Sequence, residues 1–345
     1  MKRGKKEGVM LRYPLVAATC AVLLAIFSVQ ARGSTGGEIV DTAYVAAALE
    51  RGALLWDVRD EREYLRGHIR GAVNIGAATG ALRDDNREDY LPAPQIARVL
   101  GAAGIDLGKE IIVYGTKGDA GAYFALLTIR HFGGRLGRVY HGGIDDWAAA
   151  RMPLSTEPAR RATVALELRE APGVSVSTDD VLARLERRDV QILDVRTADE
   201  FRGQDIRAIR GGRIKGAINI PYEENWLDPE TPLKLALRQA NSRDGMALKP
   251  RTALQALYAK LDPQKETIVY CQSGVRAAQT ATVLRELGFR DVKLYDSSWL
   301  GYAGRLEAPA EDVTFVNVGL LNAKIRALQY RVDYLERQLA TARGR

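Results

Sequence analysis

The chain carries one pattern twice, and that duplication limits what it can fold into. Leu55-Trp56-Asp57-Val58-Arg59, followed by Gly67-His68-Ile69-Arg70-Gly71-Ala72-Val73-Asn74-Ile75, returns as Ile192-Leu193-Asp194-Val195-Arg196 and Gly212-Arg213-Ile214-Lys215-Gly216-Ala217-Ile218-Asn219-Ile220. Downstream, Ile111-Ile112-Val113-Tyr114-Gly115 returns as Thr267-Ile268-Val269-Tyr270-Cys271, and each copy closes on a short apolar run and a tryptophan, Trp147 and Trp299. Apolar, β-branched runs alternating with helical stretches predict, in each copy, a mostly parallel sheet with helices on both faces. Repetition at this length means duplicated domains, not a solenoid. The copies are offset by 137 residues at Asp57/Asp194 and by 156 at Gly115/Cys271, so the second holds about 19 extra residues, expected between Pro221 and Pro250. The predicted division is a first domain at 32–155, a linker at 156–174 rich in Pro, Arg and Glu, and a second domain at 175–310.

The chemistry concentrates in Cys271-Gln272-Ser273-Gly274-Val275-Arg276. An apolar run ends in a thiol, a short loop follows, and residues 277–287 have helical composition with Gly288 as a stop. This puts Cys271 at the C-terminal edge of a strand, where open α/β sheets place their ligands. The amides of the loop, the helix N-terminus and the charge of Arg276 all favour thiolate over thiol. Gly274 is expected to supply a backbone torsion that other residues resist. In the first copy the loop reads Gly115-Thr116-Lys117-Gly118-Asp119-Ala120, with no nucleophile and an acid near the helix start. That domain is expected to be catalytically silent.

Composition narrows the function further. The net charge is +7, but residues 1–31 contribute +4 of it, so the rest of the chain makes no case for nucleic acid and suits an anionic substrate. Three scattered histidines and two cysteines predict no metal site and no other cofactor. Residues 1–31 read as a signal peptide: a basic stretch, an uncharged run from Pro14 to Val29, and Val29-Gln30-Ala31 before a cleavage point at Arg32. Export to a bacterial periplasm is the expectation; an uncleaved anchor holding the protein at the inner membrane, facing the periplasm, is the alternative. Cleavage would remove Cys20 and leave Cys271 as a lone thiol in a compartment where disulfides are normal.

With these motifs in hand, the sequence resembles the two-domain rhodaneses, sulfurtransferases of the thiosulfate/3-mercaptopyruvate type. The resemblance covers about residues 38–308. It rests on Asp-Val-Arg and Gly-x-Ile-x-Gly-Ala-x-Asn-Ile in both halves, and on Val-Tyr-Cys-Gln-Ser-Gly-Val-Arg-Ala in the second half. It implies two tandem α/β domains, the first inactive. It implies that Cys271 accepts sulfane sulfur as a persulfide, which the amides of residues 272–276 would hold, and passes it to a thiophilic acceptor such as cyanide or a thiol. Arg276 is the expected anchor for the anionic donor. The resemblance also places Arg213 and Arg210 near the active loop as substrate-binding candidates, with Asp194 and Arg196 as a supporting pair. Glu200 is taken only as a helix-start acid. Gln272 and Arg276 fit neither the usual mercaptopyruvate loop nor the usual thiosulfate loop, and Ser297-Ser298 replace a more usual Gly-Ser. Thiosulfate is the favoured donor, because clustered arginines suit a compact dianion. A Cys-dependent phosphatase shares this fold, but its loop is one residue longer; a non-catalytic sulfur carrier or binding module would not need the intact loop.

Beyond Pro309 the pattern changes. Val318, Leu321, Ile325, Leu328, Val332, Leu335 and Leu339 recur at spacings of three and four. This predicts a long C-terminal helix within 311–345, with β-branched residues at three of the four a positions and leucine at d, suited to a parallel homodimer through 318–339. The alternative is an amphipathic helix folded back on the body.

Overall fold

The computed structural model describes Met1 and residues 37–84 and 89–343. Apart from Met1, the expected signal segment, with Cys20, lies outside the described residues. Among those described, no helix is long and apolar enough to cross a membrane.

The two repeats fold into two sheets of the same topology. In the first, β1 (Ile39–Val40), β2 (Leu54–Asp57), β3 (Val73–Asn74), β4 (Ile111–Tyr114) and β5 (Gly137–Tyr140) run parallel in the order β1-β5-β4-β2-β3. In the second, β6 (Ser175–Val176), β7 (Val190–Asp194), β8 (Ile218–Asn219), β9 (Glu266–Tyr270) and β10 (Asp291–Tyr295) run parallel in the order β6-β10-β9-β7-β8. The central strands β4 and β9 are buried along their length, as continuous apolar runs demand when helices cover both faces. Each leads through a short loop into a largely buried helix, α1 (Ala120–His131) or α2 (Val275–Leu287). These two helices pack against each other across the domain boundary. The contact is fastened by Arg285, whose Nη2 donates to Glu38 Oε2 at 2.9 Å, while Arg130 pairs with the same carboxylate.

Three boundaries differ from expectation. Residues 156–174 contain no helix or strand, yet they lie along the first domain: Val164 N donates to Gly101 O at 3.0 Å and Ala171 N to His131 O at 2.6 Å. The tail helix α3 spans Val318–Arg343, because Ala310–Phe315 forms a strand antiparallel to Arg210–Ile214. The extra residues of the second domain fall in two places. The offset has already reached 145 at Gly67/Gly212, so about eight lie between residues 195 and 211 and only about eleven between 221 and 250.

Each domain sends an arm over the other's loop. Residues 221–250 reach the first domain, where Lys117 Nζ bonds Asp244 Oδ1 at 2.5 Å and His141 Nε2 lies 2.8 Å from Met246 O. Gly118 has φ +77°, and a Cβ there would come within 2.9 Å of Met246 Cε. Two flanking residues of the first domain, Arg83 and Asp89, reach the second, where Arg83 Nη1 donates to Ser273 O at 2.8 Å and Ser297 Oγ bonds Asp89 Oδ1 at 2.6 Å.

The first domain's loop is filled by its own acid. Asp119 caps α1, its Oδ1 accepting from Gly121 N at 2.7 Å, and a Cβ added at Gly115 would sit 2.0 Å from Asp119 Oδ2. A new side chain at Gly115 would therefore have no room, and its thiolate would stand beside a carboxyl whose own ionisation burial already opposes, in place of the arginine that flanks Cys271. A Gly115→Cys substitution in a Cys271→Ser background is therefore expected to give no persulfide on the first loop and no sulfur transfer. Turnover near that of the wild type would refute this.

Candidate active site

The Asp-Val-Arg motif ends β7 and braces the floor of the site. Asp194 Oδ2 accepts from Arg196 Nη2 at 2.6 Å, and the same Nη2 donates to Gly212 O at 2.7 Å. Both side chains are essentially inaccessible. The Arg196 guanidinium lies 4.7 Å from the Trp299 ring centroid, and Asn219 Nδ2 ties the carbonyls of Asp194 and Arg196 together at 3.0 and 2.9 Å. A buried ion pair is tolerable only when every remaining donor finds a partner, and this one is held on all sides. Asp57, Arg59 and Asn74 repeat the arrangement in the first domain, so it belongs to the fold and not to catalysis.

Cys271 follows β9 and is 1 % exposed. Its amide donates to Ser298 Oγ at 3.1 Å, and that hydroxyl donates to Tyr295 O at 2.7 Å. Ser298 has φ +51°, in the left-handed region that the first domain fills with Gly143 at φ +54°. These two hydrogen bonds offset a torsional cost of about 1–2 kcal/mol for a non-glycine residue. Gly274 caps α2 at φ +81°, and a Cβ there would meet Asp296 O and Oδ1 at 2.7 Å, so glycine is required for both torsion and space.

The loop carbonyls are drawn away from the amides. Cys271 O accepts from Trp299 N at 3.0 Å, Gln272 O from Leu300 N at 3.0 Å, and Ser273 O from Arg83 Nη1 at 2.8 Å. Among the described residues, the amides of Gln272, Ser273, Gly274 and Val275 donate to no protein acceptor. Consecutive unpaired amides at a helix N-terminus form a nest suited to an anion. The Gln272 side chain is turned the other way, Nε2 donating to Arg207 O at 2.6 Å.

Arg276 stands on the first turn of α2. Its Nη1 and Nη2 donate to Glu200 Oε2 and Oε1 at 2.7 and 2.8 Å, an end-on bidentate pair. Burial alone would lower the Arg276 pKa, but the Glu200 hydrogen bonds and the charge of Cys271 raise it above its ordinary value. Burial acts to raise the Glu200 pKa, and the Arg276 contacts override it and leave it lowered. Glu200 is thus more than a helix-start acid. It completes a capping box with Thr197 and also accepts from Arg207 Nη1 at 3.3 Å. The Thr197-x-x-Glu200 spacing signals the cap, but nothing local signals the two arginines.

The other arginines expected at the substrate are engaged elsewhere. Arg210 Nη2 donates to the carbonyls of Tyr302, Arg305 and Ala308 at 3.3, 2.8 and 3.2 Å, satisfying the end of the helix at Ser298–Gly304. Arg213 bonds Glu311 Oε2 at 3.0 Å and pairs with Asp312, stapling the terminal ribbon. The substrate role expected of them finds no counterpart in this geometry. Arg207, which the sequence reading passed over, is half-exposed on its side chain and sits in the eight-residue expansion beside the loop. Among the described residues there is no group of three side chains able to hold a metal ion.

Comparison with known proteins agrees with this architecture. The family model described as a rhodanese-like domain matches twice, over residues 41–150 and 177–305. The thiosulfate sulfurtransferase of Corynebacterium glutamicum is 32% identical over 293 residues, covering 81% of this chain and 86% of that protein. The solved structure of SseA from Escherichia coli, described as a 3-mercaptopyruvate sulfotransferase, is 26% identical with a TM-score of 0.64, over 76% of this chain and 99% of that one. An anaerobic ergothioneine biosynthesis enzyme from Chlorobium limicola shares the fold at 20% identity, with a TM-score of 0.66, over 81% of this chain and 70% of that one. With both repeats matched and the second alone keeping the cysteine loop, the chain belongs to the rhodanese family and carries two rhodanese-like domains in tandem.

Proposed function

We propose that this protein is a sulfurtransferase in which Cys271 carries sulfane sulfur from a small anionic donor, thiosulfate in preference to 3-mercaptopyruvate, to a thiophilic acceptor such as cyanide or a thiol. The observation that carries the reading is the nest of unpaired amides following a buried thiol. The Cys271 thiolate attacks the outer sulfur of thiosulfate. A new S–S bond forms, the donor's own S–S bond breaks, and sulfite leaves with the electron pair. The terminal persulfide anion rests on the amides. An acceptor nucleophile then takes the outer sulfur and expels the Cys271 thiolate, completing a double displacement. Arg276, fixed by Glu200, and the more exposed Arg207 supply positive charge for the donor. Thiosulfate concentrates two charges where mercaptopyruvate has one carboxylate, which is the basis of the donor preference.

Two parts of the reading concern where the protein works and in what company. The basic stretch and uncharged run before Arg32 support export to the periplasm, whether the segment is cleaved or retained as an anchor. The tail helix supports a homodimer. Its seven seam residues are 43–66% exposed, which leaves an apolar stripe for a second copy. Its 26 residues extend about 39 Å, and an isolated helix in water is marginal without a partner. In a parallel pair Arg331 at g meets Glu336 at e of the second copy; in an antiparallel pair Lys324 and Arg331 would face each other and repel.

Three outcomes are expected. Cys271→Ser abolishes transfer with the fold intact, and mass spectrometry of the donor-treated wild type finds about 32 Da on the peptide containing Cys271, as a persulfide intermediate requires; residual transfer, or sulfur elsewhere, would count against the mechanism. Arg276→Thr impairs both donors because it strands the buried Glu200 charge. In Arg276→Thr/Glu200→Gln the loss of kcat/KM is greater for thiosulfate, by about tenfold or more if one charge-assisted hydrogen bond of roughly 1.5–3 kcal/mol is at stake; equal losses would assign Arg276 to the loop and not to the donor. Finally, Val332→Cys under mild oxidation should cross-link two copies through residue 332, which a parallel register allows and an antiparallel one does not, and Ile325→Lys should yield monomers by light scattering. A Val332→Cys chain that stays uncross-linked and monomeric would dispose of the dimer.

A further inference from the structure

Three successive carbonyls of the active loop are held from outside, but not by the same part of the molecule. Those of Cys271 and Gln272 accept from Trp299 N and Leu300 N, backbone groups of the second domain itself. The third, Ser273 O, accepts from Arg83, which belongs to the first domain. A trans peptide is planar, with its C=O and the following N–H pointing in opposite directions. Fixing the Ser273 carbonyl therefore also fixes the direction of the Gly274 amide, one of those left for the sulfur. In the first domain's loop the carbonyl corresponding to Ser273 O is that of Lys117, and among the described residues no arginine of the other domain donates to it. Gly115 O is held by Ile144 N, and Thr116 O by Asp119 N within the loop.

Arg83 is built to keep its place. It is 3 % exposed, and its guanidinium lies 4.9 Å from the Phe124 ring centroid and 5.6 Å from that of Tyr90. Its Nη2 pairs with Asp296, and Asp296 in turn lies against Gly274. The strand-like bridge between Arg83 and Tyr90, with Asp84 N donating to Asp89 O at 3.1 Å and Leu91 N to Leu82 O at 3.0 Å, holds the base of the arm. Asp89 then takes the Ser297 hydroxyl, one residue before the serine that receives the Cys271 amide.

We propose that Arg83 of the silent first domain is a positioning residue for sulfur transfer, pinning the Ser273 carbonyl so that the Gly274 amide faces the persulfide. This rests on the persulfide reading given above. It assigns the first domain a part in the reaction that does not require a nucleophile of its own.

The test separates the two readings. Wild-type protein treated with thiosulfate must first gain one sulfur on Cys271; if it does not, the persulfide reading fails whatever Arg83 does. Arg83→Gln is then followed for persulfide formation and steady-state turnover. Losing one donor from an anion hole lowers kcat about 100-fold or more, and a misaligned donor should lower it by roughly tenfold to a hundredfold, with KM for thiosulfate little changed. Arg83→Lys keeps the charge but a single ammonium cannot serve Ser273 O and Asp296 as the fork does, so it should stay slow. Millimolar guanidinium ion should restore much of the rate of Arg83→Ala and leave the wild type unaffected. Because Arg83→Gln leaves Asp296 buried without its partner, Arg83→Gln/Asp296→Asn is made alongside it, with near-ultraviolet circular dichroism as the check on packing. A natively packed double variant with wild-type kcat overturns the proposal, as does rescue by lysine, which would mean that charge alone suffices. Slow persulfide formation with native packing and guanidinium rescue upholds it.

Discussion

The turn after β9 has to solve one problem: its carbonyls must leave so that its amides can stay. A buried strand end followed at once by a helix start offers several N–H groups that no helix or sheet bond can satisfy. Left in an apolar interior, they would be expensive. Here the carbonyls find donors on the far side, and the amides, without protein acceptors among the described residues, form a concavity suited to an anion. Nearly everything around the loop follows from that arrangement. Gly274 takes a torsion and a contact that no side chain permits, Ser298 accepts strain to hold the Cys271 amide, and Arg276 is anchored by Glu200 so that its charge stays near the sulfur.

The first domain shows what happens when the same turn is released from that task. Its strand order is the same, and Asp57, Arg59 and Asn74 brace it as Asp194, Arg196 and Asn219 brace the second. The difference that bears on the site lies in the loop and the residues that pack on it. Asp119 occupies the space beside Gly115 and caps the helix at Gly121 N, and the loop amides find acceptors inside the protein: Lys117 N donates to Asp145 Oδ2, Gly118 N to His141 O and Asp119 N to Thr116 O. His141, which stands where Asp296 stands in the second domain, is held between Tyr123 Oη and Met246 O at 2.8 Å each, and burial lowers its pKa to about 4. A neutral imidazole there seals the loop; the carboxylate of Asp296 engages an arginine.

What could be read from the sequence was whatever is short-range. The duplicated strands, the thiol at a strand's end, the glycine of the loop and the Asp194–Arg196 pair all lie within a few residues of their partners, and their spacing carries the geometry. The partners of Arg210 and Arg213 were not legible, because a guanidinium reaches far and its partner is set by the fold. Here the partners are 92 to 99 residues away, in the ribbon and the helix end near the terminus. Glu200 and Arg276 are 76 residues apart and Arg83 and Ser273 are 190 apart, separations at which no spacing rule speaks. The placing of all 19 extra residues between Pro221 and Pro250 failed for a different reason. Comparing only two landmarks hid the eight-residue expansion that brings in Arg207.

The crossed arms have a consequence for how the molecule is made. A ribosome delivers the first domain with its loop uncovered, because Asp244 and Met246, which close it, come more than a hundred residues later. The second domain, by contrast, emerges with its clasp already waiting, since Arg83 and Asp89 were synthesised long before Cys271. The Cys271 thiol is therefore synthesised only after the first-domain residues that clasp its loop. A chain interrupted before that point would lack Cys271, and one cut in the 156–174 segment would leave two halves, each missing the piece that completes its loop.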